Sequence, residues 1–506
     1  MAYSSLNEFV QFLEKRGQLK RVKARVSNIL EITEITDRVS KGPAAQNAAL
    51  LFENVQGHDI PVLINMFGSE ARMAWALGVQ RLDELGERVG SLITPEMPRT
   101  LVDKASKGVE LLGVARAVGP KIVSKGACQE IVLRDDFSLY QLPILQCWPQ
   151  DAGQYITLPS VFSRDPRTGR RNVGMYRLQV YDERTLGMHW QRHKGGTEHQ
   201  RAAQETHKPT IPVAVSLGGD PAITWSGSAP LPPDIDEMML AGFLRGRPVE
   251  LVRCVSQPLE VPADADIIIE GYLDPNEQRV EGPFGDHTGY YSLADTYPVM
   301  HVTAITRRRR PIYPTTIVGK PPMEDYWMGK ATERMFLPLM RLFQGEIVDV
   351  NMPAEGAFHN LVIVSIKKRY PGQPRKVMYG LWGMGLMMLA KTIVVVDEDV
   401  DVHNLSQVAF EVLANYDPKR DVVIVDGPTD DLDHASLEKN FGGKMGIDAT
   451  RKTARDPGPH QTWPDEIAMS PDIRALVDGK WAQYGLGNFI GHEGKKTAPP
   501  GALKKR

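Results

Sequence analysis

The chain has 506 residues, of which 42% are hydrophobic and 24% charged, so it is long enough for two or three domains and too balanced for an intrinsically disordered protein. Its 60 Lys and Arg residues against 62 Asp and Glu residues give a net charge of −2, without the basic excess that nucleic-acid binding needs. Cys128, Cys147 and Cys254 form no C-x-x-C pair, which excludes a disulfide framework and a zinc knuckle. We expect a folded protein of a reducing compartment.

No secretory signal or membrane span is visible in the sequence. The first residues lack a basic segment followed by an apolar one. The most apolar run without charge lies between Lys376 and Lys391, and its 14 residues are fewer than the roughly 18 that cross a bilayer. These features predict a cytoplasmic protein and leave peripheral contact with a membrane open.

The N-terminal region is predicted to mix helices and strands. Ser5 precedes a helical apolar pattern that ends near Gly17, and Asn28 with Glu31 resembles a second capped helix start. The elements predicted next are strands at 49–52 and 61–64 and helices from Ser69 and Arg81.

Strand-like runs separated by turns dominate residues 128–305 and predict an antiparallel barrel. The turn composition of residues 164–169 and 182–185 predicts two hairpins, which makes 172–181 a central strand whose side chains can face a cavity. The predicted strands are 131–133, 157–163, 173–181, 211–216, 267–272 and 299–306.

From about residue 315 helices alternate with apolar strands at 361–366, 392–396 and 421–425, which predicts an α/β domain. The last residues show no periodicity and predict a flexible tail. The predicted division of the chain is 1–125, 126–315, 325–490 and 491–506.

Residues 281–290, Glu-Gly-Pro-Phe-Gly-Asp-His-Thr-Gly-Tyr, carry the strongest chemical signal. Glu281 and Asp286 are separated by two glycines and a proline, a composition typical of a tight irregular turn. Such a turn can bring both acids to one cavity, where paired carboxyl groups push each other's pKa values apart as acid–base chemistry requires. A surface turn with solvated acids is the alternative.

A second set of polar residues offers possible metal ligands. Asn172, His193 and Glu237 offer oxygen and nitrogen ligands that suit Mn²⁺ or Mg²⁺ bridging to a phosphate, with the guanidinium of Arg177 nearby in sequence. Their spacing alone does not establish a site. His189, four residues before His193, is a competing ligand.

These motifs together resemble the UbiD-type decarboxylases, which use prenylated FMN. The resemblance rests on residues 281–290, Asn172-x-x-x-x-Arg177, Leu142-Pro-Ile144 and residues 444–450, Lys-Met-Gly-Ile-Asp-Ala-Thr, in the family's order. It covers about residues 5–490 and implies an α+β fold class: a mixed N-terminal α/β region, an antiparallel split-barrel flavin-binding domain and a C-terminal α/β oligomerisation domain.

The resemblance implies where metal and cofactor would bind. Asn172, His193 and Glu237 correspond to ligands of Mn²⁺ or Mg²⁺ that clamp the flavin phosphate, and K⁺ is a further expected ion. For Lys391 there are two interpretations: a residue that reaches the phosphate, and a strand-edge lysine that extends to solvent. The expected cofactor-binding residues are Asn172, Met175, Arg177, Gly227, Ser228 and Lys391.

The same resemblance assigns the catalytic residues Arg177, Glu281 and Asp286, the last standing where some members carry Glu. Decarboxylation leaves negative charge on carbon, so it needs an electron sink that side chains do not offer. We expect Arg177 to pair with Glu281 and orient the substrate carboxylate, and Asp286 to give the proton that replaces CO₂. Asp286, without an assigned cation, is the acid expected to hold a proton.

Strand parity adds a geometric expectation. Asn172 and Arg177 are five residues apart, so a regular strand would point them to opposite faces although both roles require one cavity. We therefore expect a β-bulge at Gly174, where glycine tolerates the backbone angles and permits close approach of a flavin.

The leading hypothesis is a carboxy-lyase that reversibly decarboxylates an aromatic or α,β-unsaturated acid, with a flavin prenyltransferase as cofactor supplier and a homo-oligomer of dimer to hexamer size. Residues 319–325 and 329–334 look closer to branches of quinone biosynthesis. The alternatives are a decarboxylase of a small phenolic or heteroaromatic acid, a metal-only lyase or hydrolase, and a non-catalytic scaffold.

Overall fold

The computed structural model describes residues 2–93, 117–191, 195–232, 235–453, 455–456, 464 and 467–485. The chain divides into a large unit, Met1–Arg451, and a small unit, Lys452–Arg506. Among the described residues no helix is long and apolar enough to span a membrane. The predicted tail, 491–506, lies outside the described residues, and the predicted domain boundaries stay predictions.

The elements of the N-terminal region are α1 (Leu6–Lys15), β1 (Leu19–Val22), α2 (Glu31–Lys41), β2 (Ala49–Phe52), β3 (Val62–Ile64), α3 (Glu70–Ala76) and α4 (Asp83–Ile93). As predicted, Ser5 caps α1: its side chain accepts a hydrogen bond from the N–H of Glu8. α2 begins where predicted, but Asn28 does not cap it, because its amide instead donates to the carbonyl of Ile144 at 2.7 Å.

Eighteen elements follow: β4 (Lys121–Val123), β5 (Ile131–Leu133), β6 (Tyr155–Ile156), β7 (Ser160–Arg164), β8 (Arg171–Gly174), β9 (Leu178–Val180), β10 (Thr185–Met188), α5 (Gly195–Glu205), β11 (Ile211–Leu217), α6 (Pro221–Ser226), α7 (Glu237–Arg245), β12 (Glu250–Arg253), β13 (Glu260–Pro262), β14 (Ile267–Glu281), β15 (Phe284–Gly285), β16 (Tyr291–Ser292), β17 (Asp295–Arg307) and β18 (Tyr313–Pro314).

A nine-stranded sheet forms the centre of this region. Its order is β6-β9-β10-β17-β14-β11-β7-β8, with β5 paired to β17, and every described pairing is antiparallel. The two predicted hairpins are present as β7–β8 and β9–β10. The antiparallel character of the middle region is thus confirmed.

The strands on either side of Arg177 lie far apart in this order. β8 ends the sheet at one side, whereas β9 is second from the other. In a flat sheet they would be about 29 Å apart, because neighbouring strands are spaced about 4.8 Å. Residues 175–177 join them and span at most roughly 14 Å between the strand ends. The sheet must therefore curl until its ends approach; the split barrel itself stays a prediction.

The single strand and the bulge expected over 172–181 are replaced by a break. β8 ends at Gly174 without a register shift, and β9 begins at Leu178. Met175 leaves the sheet because its N–H donates to the carbonyl of Gly227 at 2.9 Å. A Cβ at Gly174 would lie 2.2 Å from the Tyr176 ring, so only glycine lets that ring fold over the strand end.

The remaining elements are α8 (Glu324–Phe343), β19 (Ile347–Asn351), β20 (Leu361–Ile366), α9 (Gln373–Trp382), β21 (Thr392–Asp397), α10 (Leu405–Asn415), β22 (Val422–Pro428), β23 (Phe441–Asp448) and, in the small unit, α11 (Pro471–Lys480). The five-stranded sheet has the order β19-β20-β21-β23-β22, parallel at its centre and antiparallel at its edges. Buried Val and Ile side chains fill it. The mixed α and β fold class is confirmed.

Three smaller sheets complete the described part of the large unit, and β15-β16 is the two-stranded one. The N-terminal sheet, in the order β1-β2-β3-β18, takes its last strand from beyond β17, and β13-β12-β4 forms a three-stranded sheet. The N-terminal sheet is therefore joined to the middle region through β18, which follows β17 in the chain.

Candidate active site

Arg177 lies at the centre of the candidate site, in the link between β8 and β9. Its Nε and Nη2 donate to Glu281 at 2.7 and 3.0 Å, and its Nη1 donates to Asp286. Nη2 also donates to the hydroxyl of Ser292 at 3.1 Å, and the guanidinium lies 4.6 Å from the ring centroid of Phe284. The structure thus brings together all three predicted catalytic residues and confirms the Arg177–Glu281 pair.

The turn between β14 and β17 places the two acids. β14 ends at Glu281 because Gly282 has φ +91°, a left-handed conformation that favours glycine. The short hairpin β15–β16 then turns the chain back, so that Asp286 also faces Arg177. Glu281 is fully buried and Asp286 is 7% exposed, so the alternative of a solvated surface turn is wrong.

Glu281 is held in its ionised form. Burial opposes ionisation, but a hydrogen bond with His189 Nδ1 at 3.1 Å and the charge of Arg177 lower the pKa of Glu281 to about 2. Burial together with Arg177 lowers the pKa of His189, so this imidazole is neutral at neutral pH and its Nδ1–H donates to the carboxylate. His189 therefore stabilises the ionised form of Glu281. The Nε2 of His189 is buried without a described partner.

Asp286 is also ionised, which corrects the expectation that it lacks a cation and holds a proton. Burial again opposes ionisation, but the hydrogen bond with His287 and the charge of Arg177 lower its pKa below the ordinary value. His287 Nδ1 lies 3.0 Å from Asp286 Oδ1. Burial lowers the pKa of His287, but the hydrogen bond with Asp286 and the charge of that acid outweigh burial and raise the pKa to about 9. The proton thus rests on His287.

Residues of the C-terminal region surround His287. Its ring centroid lies 5.5 Å from those of Phe358 and His359. Asp325, at the start of α8, and Asp430, after β22, add negative charge that favours the imidazolium. The site therefore lies where the nine-stranded sheet meets the five-stranded sheet.

Two of the three predicted metal ligands lie near each other at the end of β8. A Glu237 carboxylate oxygen accepts a hydrogen bond from the N–H of Val173 at 3.0 Å, next to Asn172. The Asn172 amide donates to the Tyr176 hydroxyl at 3.4 Å, and Glu237 raises the pKa of that hydroxyl in addition to burial. Burial raises the pKa of Glu237 itself to about 7.

The third predicted ligand, His193, lies outside the described residues. Gly195, where the description resumes, packs directly on Asn172: a Cβ there would lie 2.1 Å from Asn172 Oδ1. Among the described residues no cluster of three or more His, Cys, Asp or Glu side chains could hold a metal. The metal assignment stays a prediction.

The other predicted cofactor residues fall into two places. Met175, Gly227 and Ser228 meet beside the break after β8, where the Met175 N–H donates to Gly227 and the Ser228 hydroxyl donates to the Trp225 carbonyl at 2.7 Å. Lys391 lies at the start of β21, and its ammonium donates to Asp433 at 2.9 Å.

A cavity of about 230 Å³ opens beside Asp286. Residues from the N-terminal helix α2 and from the β15–β16 turn share its walls, so Asp286 has one side toward open space. The cavity is lined by Asp37, Lys41, Trp148, Gly285, Asp286, Gly289, Tyr290, Tyr291, Gly319 and Lys320.

Sequence reasoning missed three contacts of the site. His189 was considered only as a rival metal ligand, Ser292 was not considered, and Asp286 was not paired with Arg177. For Ser292 the sequence holds no signal, because its position depends on the hairpin β15–β16. The contact of His287 with Asp286 does have a sequence signal, because the two residues are neighbours within the motif.

Three family models match consecutive parts of the chain. They are the N-terminal domain of 3-octaprenyl-4-hydroxybenzoate carboxy-lyase over residues 10–89, its Rift-related domain over 121–321 and its C-terminal domain over 326–449. The chain belongs to the UbiD family. The resemblance drawn from the motifs is confirmed, and this UbiD protein is a carboxy-lyase.

Relatives cover nearly the whole UbiD chain. An uncharacterized protein of Archaeoglobus fulgidus is 52% identical over 482 residues, 95% of this chain and 98% of its own. The closed form of vanillic acid decarboxylase from Sedimentibacter hydroxybenzoicus is 28% identical with a TM-score of 0.84, over 96% of this chain and 100% of that one. An evolved dimeric form of HmfF from Pelotomaculum thermopropionicum, in complex with prFMN, is 28% identical with a TM-score of 0.76, over 95% and 100%.

Proposed function

We propose that this UbiD-family enzyme reversibly decarboxylates an aromatic carboxylic acid, or an α,β-unsaturated one, with prenylated FMN as its cofactor. The observation that carries the proposal is the buried guanidinium of Arg177 between two ionised carboxylates, Glu281 and Asp286. The HmfF complex with prFMN, similar over 95% of this chain, supports the cofactor. The metal-only and scaffold alternatives do not explain why three charged side chains are buried together.

We further propose that Asn172, His193 and Glu237 bind Mn²⁺ or Mg²⁺ beside the flavin phosphate, with K⁺ as an additional ion. Glu237 fits this role because it is a mostly buried carboxylate with no cation within ion-pair distance in the described part of the chain. A divalent cation would offset the burial that raises its pKa. Oxygen and nitrogen donors are the ligands that these metals prefer.

Met175, Gly227 and Ser228 are the residues that we assign to the flavin at the break after β8. Their backbones meet there, because the Met175 N–H donates to the carbonyl of Gly227, next to Ser228. When bound, prenylated FMN supplies the electron sink that decarboxylation requires. Lys391 is a weaker candidate, since its ammonium already pairs with Asp433.

Arg177 can still bind the carboxylate of a substrate. A guanidinium has five N–H donors, and the described partners of Arg177 take four of them, which leaves one Nη1 hydrogen. The charges of Arg177, His287, Glu281 and Asp286 sum to zero at neutral pH, so these four groups together carry no net charge that would repel an anionic acid. Glu281 and Ser292 fix the direction of the guanidinium.

Asp286 is the residue that we assign to proton transfer at the carbon that loses CO₂. It forms a wall of the 230 Å³ cavity and is the nearer of the two acids to open space, since Glu281 is fully buried. Its ionised resting state suits the reverse reaction, in which the carboxylate takes a proton. In the forward reaction it must first gain one.

For the substrate we propose an aromatic acid of quinone biosynthesis. The support is the family description, 3-octaprenyl-4-hydroxybenzoate carboxy-lyase, and the resemblance of residues 319–325 and 329–334 to that branch. A small phenolic or heteroaromatic acid is the second candidate, because the vanillic acid decarboxylase matches with a TM-score of 0.84.

The test uses protein co-expressed with a flavin prenyltransferase, which we propose as the cofactor supplier. We expect a flavin band in the visible spectrum and H/D exchange on a decarboxylated aromatic product, at the carbon that would carry the carboxylate. No flavin band after reconstitution contradicts the proposal. Exchange only on small phenolic or cinnamate-type products contradicts the quinone assignment.

The assembly and location complete the proposal. We propose a homo-oligomer between dimer and hexamer and a cytoplasmic location with peripheral membrane contact where the substrate is prenylated. Light scattering of the purified protein tests the first, and a monomer would contradict it. Fractionation of cells that produce the protein tests the second.

A further inference from the structure

His287 contacts the acid to which we assign the proton transfer. Its Nδ1 lies 3.0 Å from Asp286 Oδ1, and its backbone N–H donates to the same oxygen at 2.8 Å. Arg177 donates to the other oxygen, Oδ2. Asp286 is therefore held between two cations, of which only the imidazolium can release a proton near neutral pH.

The pair is oriented with respect to solvent. The Asp286 side chain is 9% exposed and that of His287 is 20% exposed. The imidazole therefore reaches water more readily than the carboxylate does. Asp286 also contacts Arg177 and lines the cavity, where a substrate would lie.

An ionised Asp286 cannot give a proton, so the forward reaction needs a source. The nearest titratable donor is His287, and the two groups titrate as a coupled pair. When the proton moves from the imidazolium to the carboxylate, the positive charge that holds the pKa of Asp286 low disappears with it. The transfer is therefore easier than protonation of Asp286 while His287 stays charged.

We propose that His287 is the positioning residue through which solvent protons reach Asp286, an inference that rests on the proposed function. The Nδ1–H bond of the imidazolium breaks and an O–H bond forms on Asp286 Oδ1. The same proton then forms the new C–H bond at the carbon that has lost CO₂. Neutral His287 regains a proton from water, so one proton is consumed for each CO₂ released.

Four groups face His287 and set its charge: Asp286 beside it, Asp325 from α8, Asp430 after β22, and His359 before β20. Burial lowers the pKa of His359 below its ordinary value, so His359 is neutral and does not compete for the positive charge. The three acids keep His287 protonated until about pH 9. Product formation should therefore fall as the pH rises through about 9.

The decisive experiment separates carbon–carbon cleavage from proton transfer. Exchange of the substrate carboxyl group with ¹³CO₂ requires the bond to break and re-form but no proton, whereas product formation and product H/D exchange require one. We expect His287→Asn, whose amide still donates to Asp286, to keep carboxyl exchange within a few-fold. Product formation and H/D exchange should fall about 10²-fold or more at equal flavin occupancy.

The control is His301→Asn, which removes a partly exposed imidazole that pairs with Glu277 on the same sheet. It should keep both rates and the fall above pH 9. Equal losses of carboxyl exchange and product formation in His287→Asn would show a structural role and overturn the proposal. Wild-type product formation in that variant would show that water in the cavity protonates Asp286 directly, and would overturn it as well.

A second measurement does not depend on turnover. NMR of histidine-labelled protein should show His287, identified by its loss in His287→Asn, titrating near pH 9 in the wild type and toward its ordinary range of about 6.5 in Asp286→Asn. Titration of His287 below pH 7 in the wild type would overturn the pair. A protein that neither binds flavin nor decarboxylates would end the proposed function, while this titration would still decide the fate of the pair.

Discussion

Two regions of the molecule shift the pKa of buried acids in opposite directions. One is the Arg177 cluster, formed by Arg177, Glu281, Asp286 and His287, and the other is the Glu237 end of β8. In the cluster, partners outweigh burial and lower the pKa of Glu281 to about 2. At the end of β8, burial prevails and raises the pKa of Glu237 to about 7. In the described part of the chain no cation pairs with Glu237, whereas Arg177 pairs with both acids of the cluster.

The difference indicates two kinds of site. The Arg177 cluster neutralises its own charges, so its geometry is complete in the protein alone and is suited to chemistry. The Glu237 end keeps an uncompensated carboxylate that only an added cation can neutralise, so it is suited to binding. Variants that each remove one of these charges test this division.

The largest effect should come from Arg177→Met. Two buried carboxylates lose their cation, which costs about 3–5 kcal/mol of unfolding free energy at pH 7 and abolishes decarboxylation. Both acids have lowered pKa values in the fold, so the stability that Arg177 gives them is present above about pH 4.5 and disappears as the pH falls toward 2. Denaturant unfolding at pH 7 and pH 3 measures the loss of unfolding free energy and its dependence on pH.

Arg38→Met is the matched control, because its pair with Glu34 on α2 is exposed by 77% and 57%. Exposed pairs are worth about 1 kcal/mol or less, so this variant should unfold like the wild type. An equally small cost in Arg177→Met at pH 7 would show that the two acids do not depend on the guanidinium.

The next effect separates the two acids of the cluster. Asp286→Asn should bind flavin and substrate but lose decarboxylation and product H/D exchange by about 10²- to 10⁴-fold, because the proton route is removed. Glu281→Gln should lose activity and also disturb cofactor maturation, since Glu281 accepts two hydrogen bonds from Arg177 and Asp286 accepts only one. Turnover and flavin absorbance, measured on both variants, test this; normal turnover in Asp286→Asn at equal flavin content would contradict the assignment.

Removal of the Glu237 charge should have the opposite effect on stability. Its pKa is raised in the fold, so without metal its ionisation destabilises the protein progressively as the pH rises from about 4.5 through about 7. Metal-free Glu237→Gln should therefore be more stable than the wild type at pH 8, on the order of 3 kcal/mol. Mn²⁺ at about 100 times its Kd should stabilise the wild type by about 2.7 kcal/mol and the variant by much less.

Thermal unfolding at pH 5 and pH 8, with and without Mn²⁺, measures this response. Glu250→Gln, at an exposed position of β12, should behave as the wild type in all four conditions. If Mn²⁺ stabilises Glu237→Gln as strongly as the wild type, Glu237 is not a ligand.

The sequence predicted those features that depend on local chemistry. Turn composition at 164–169 located the hairpin β7–β8, and strand-like runs separated by turns located most strands of the nine-stranded sheet. The motif at 281–290 located both acids, because glycine and proline there leave few backbone conformations. The pair of Arg177 with Glu281 followed from charge and from the family resemblance.

Features that depend on distant parts of the chain were not predictable. The break after Gly174 arises because Met175 bonds to Gly227, which lies more than fifty positions along the chain. Asn28 reads as a helix cap by its spacing, yet the carbonyl of Ile144 takes its amide. The cation beside Asp286 was missed for the same reason, since only the curled sheet and the β15–β16 hairpin bring Arg177 to both acids.

The smallest effect should come from Ser292→Ala. Its hydroxyl accepts from Arg177 Nη2 at 3.1 Å and donates to the carbonyl of Phe284 at 3.3 Å, and it carries no charge. Two acids already orient the guanidinium, so loss of this neutral contact should cost about 1 kcal/mol and slow decarboxylation by less than about tenfold. Steady-state rates and unfolding midpoints measure it. A loss as large as that of Asp286→Asn would mean that charge pairing alone does not fix Arg177, and that the cluster depends on the hairpin for its geometry.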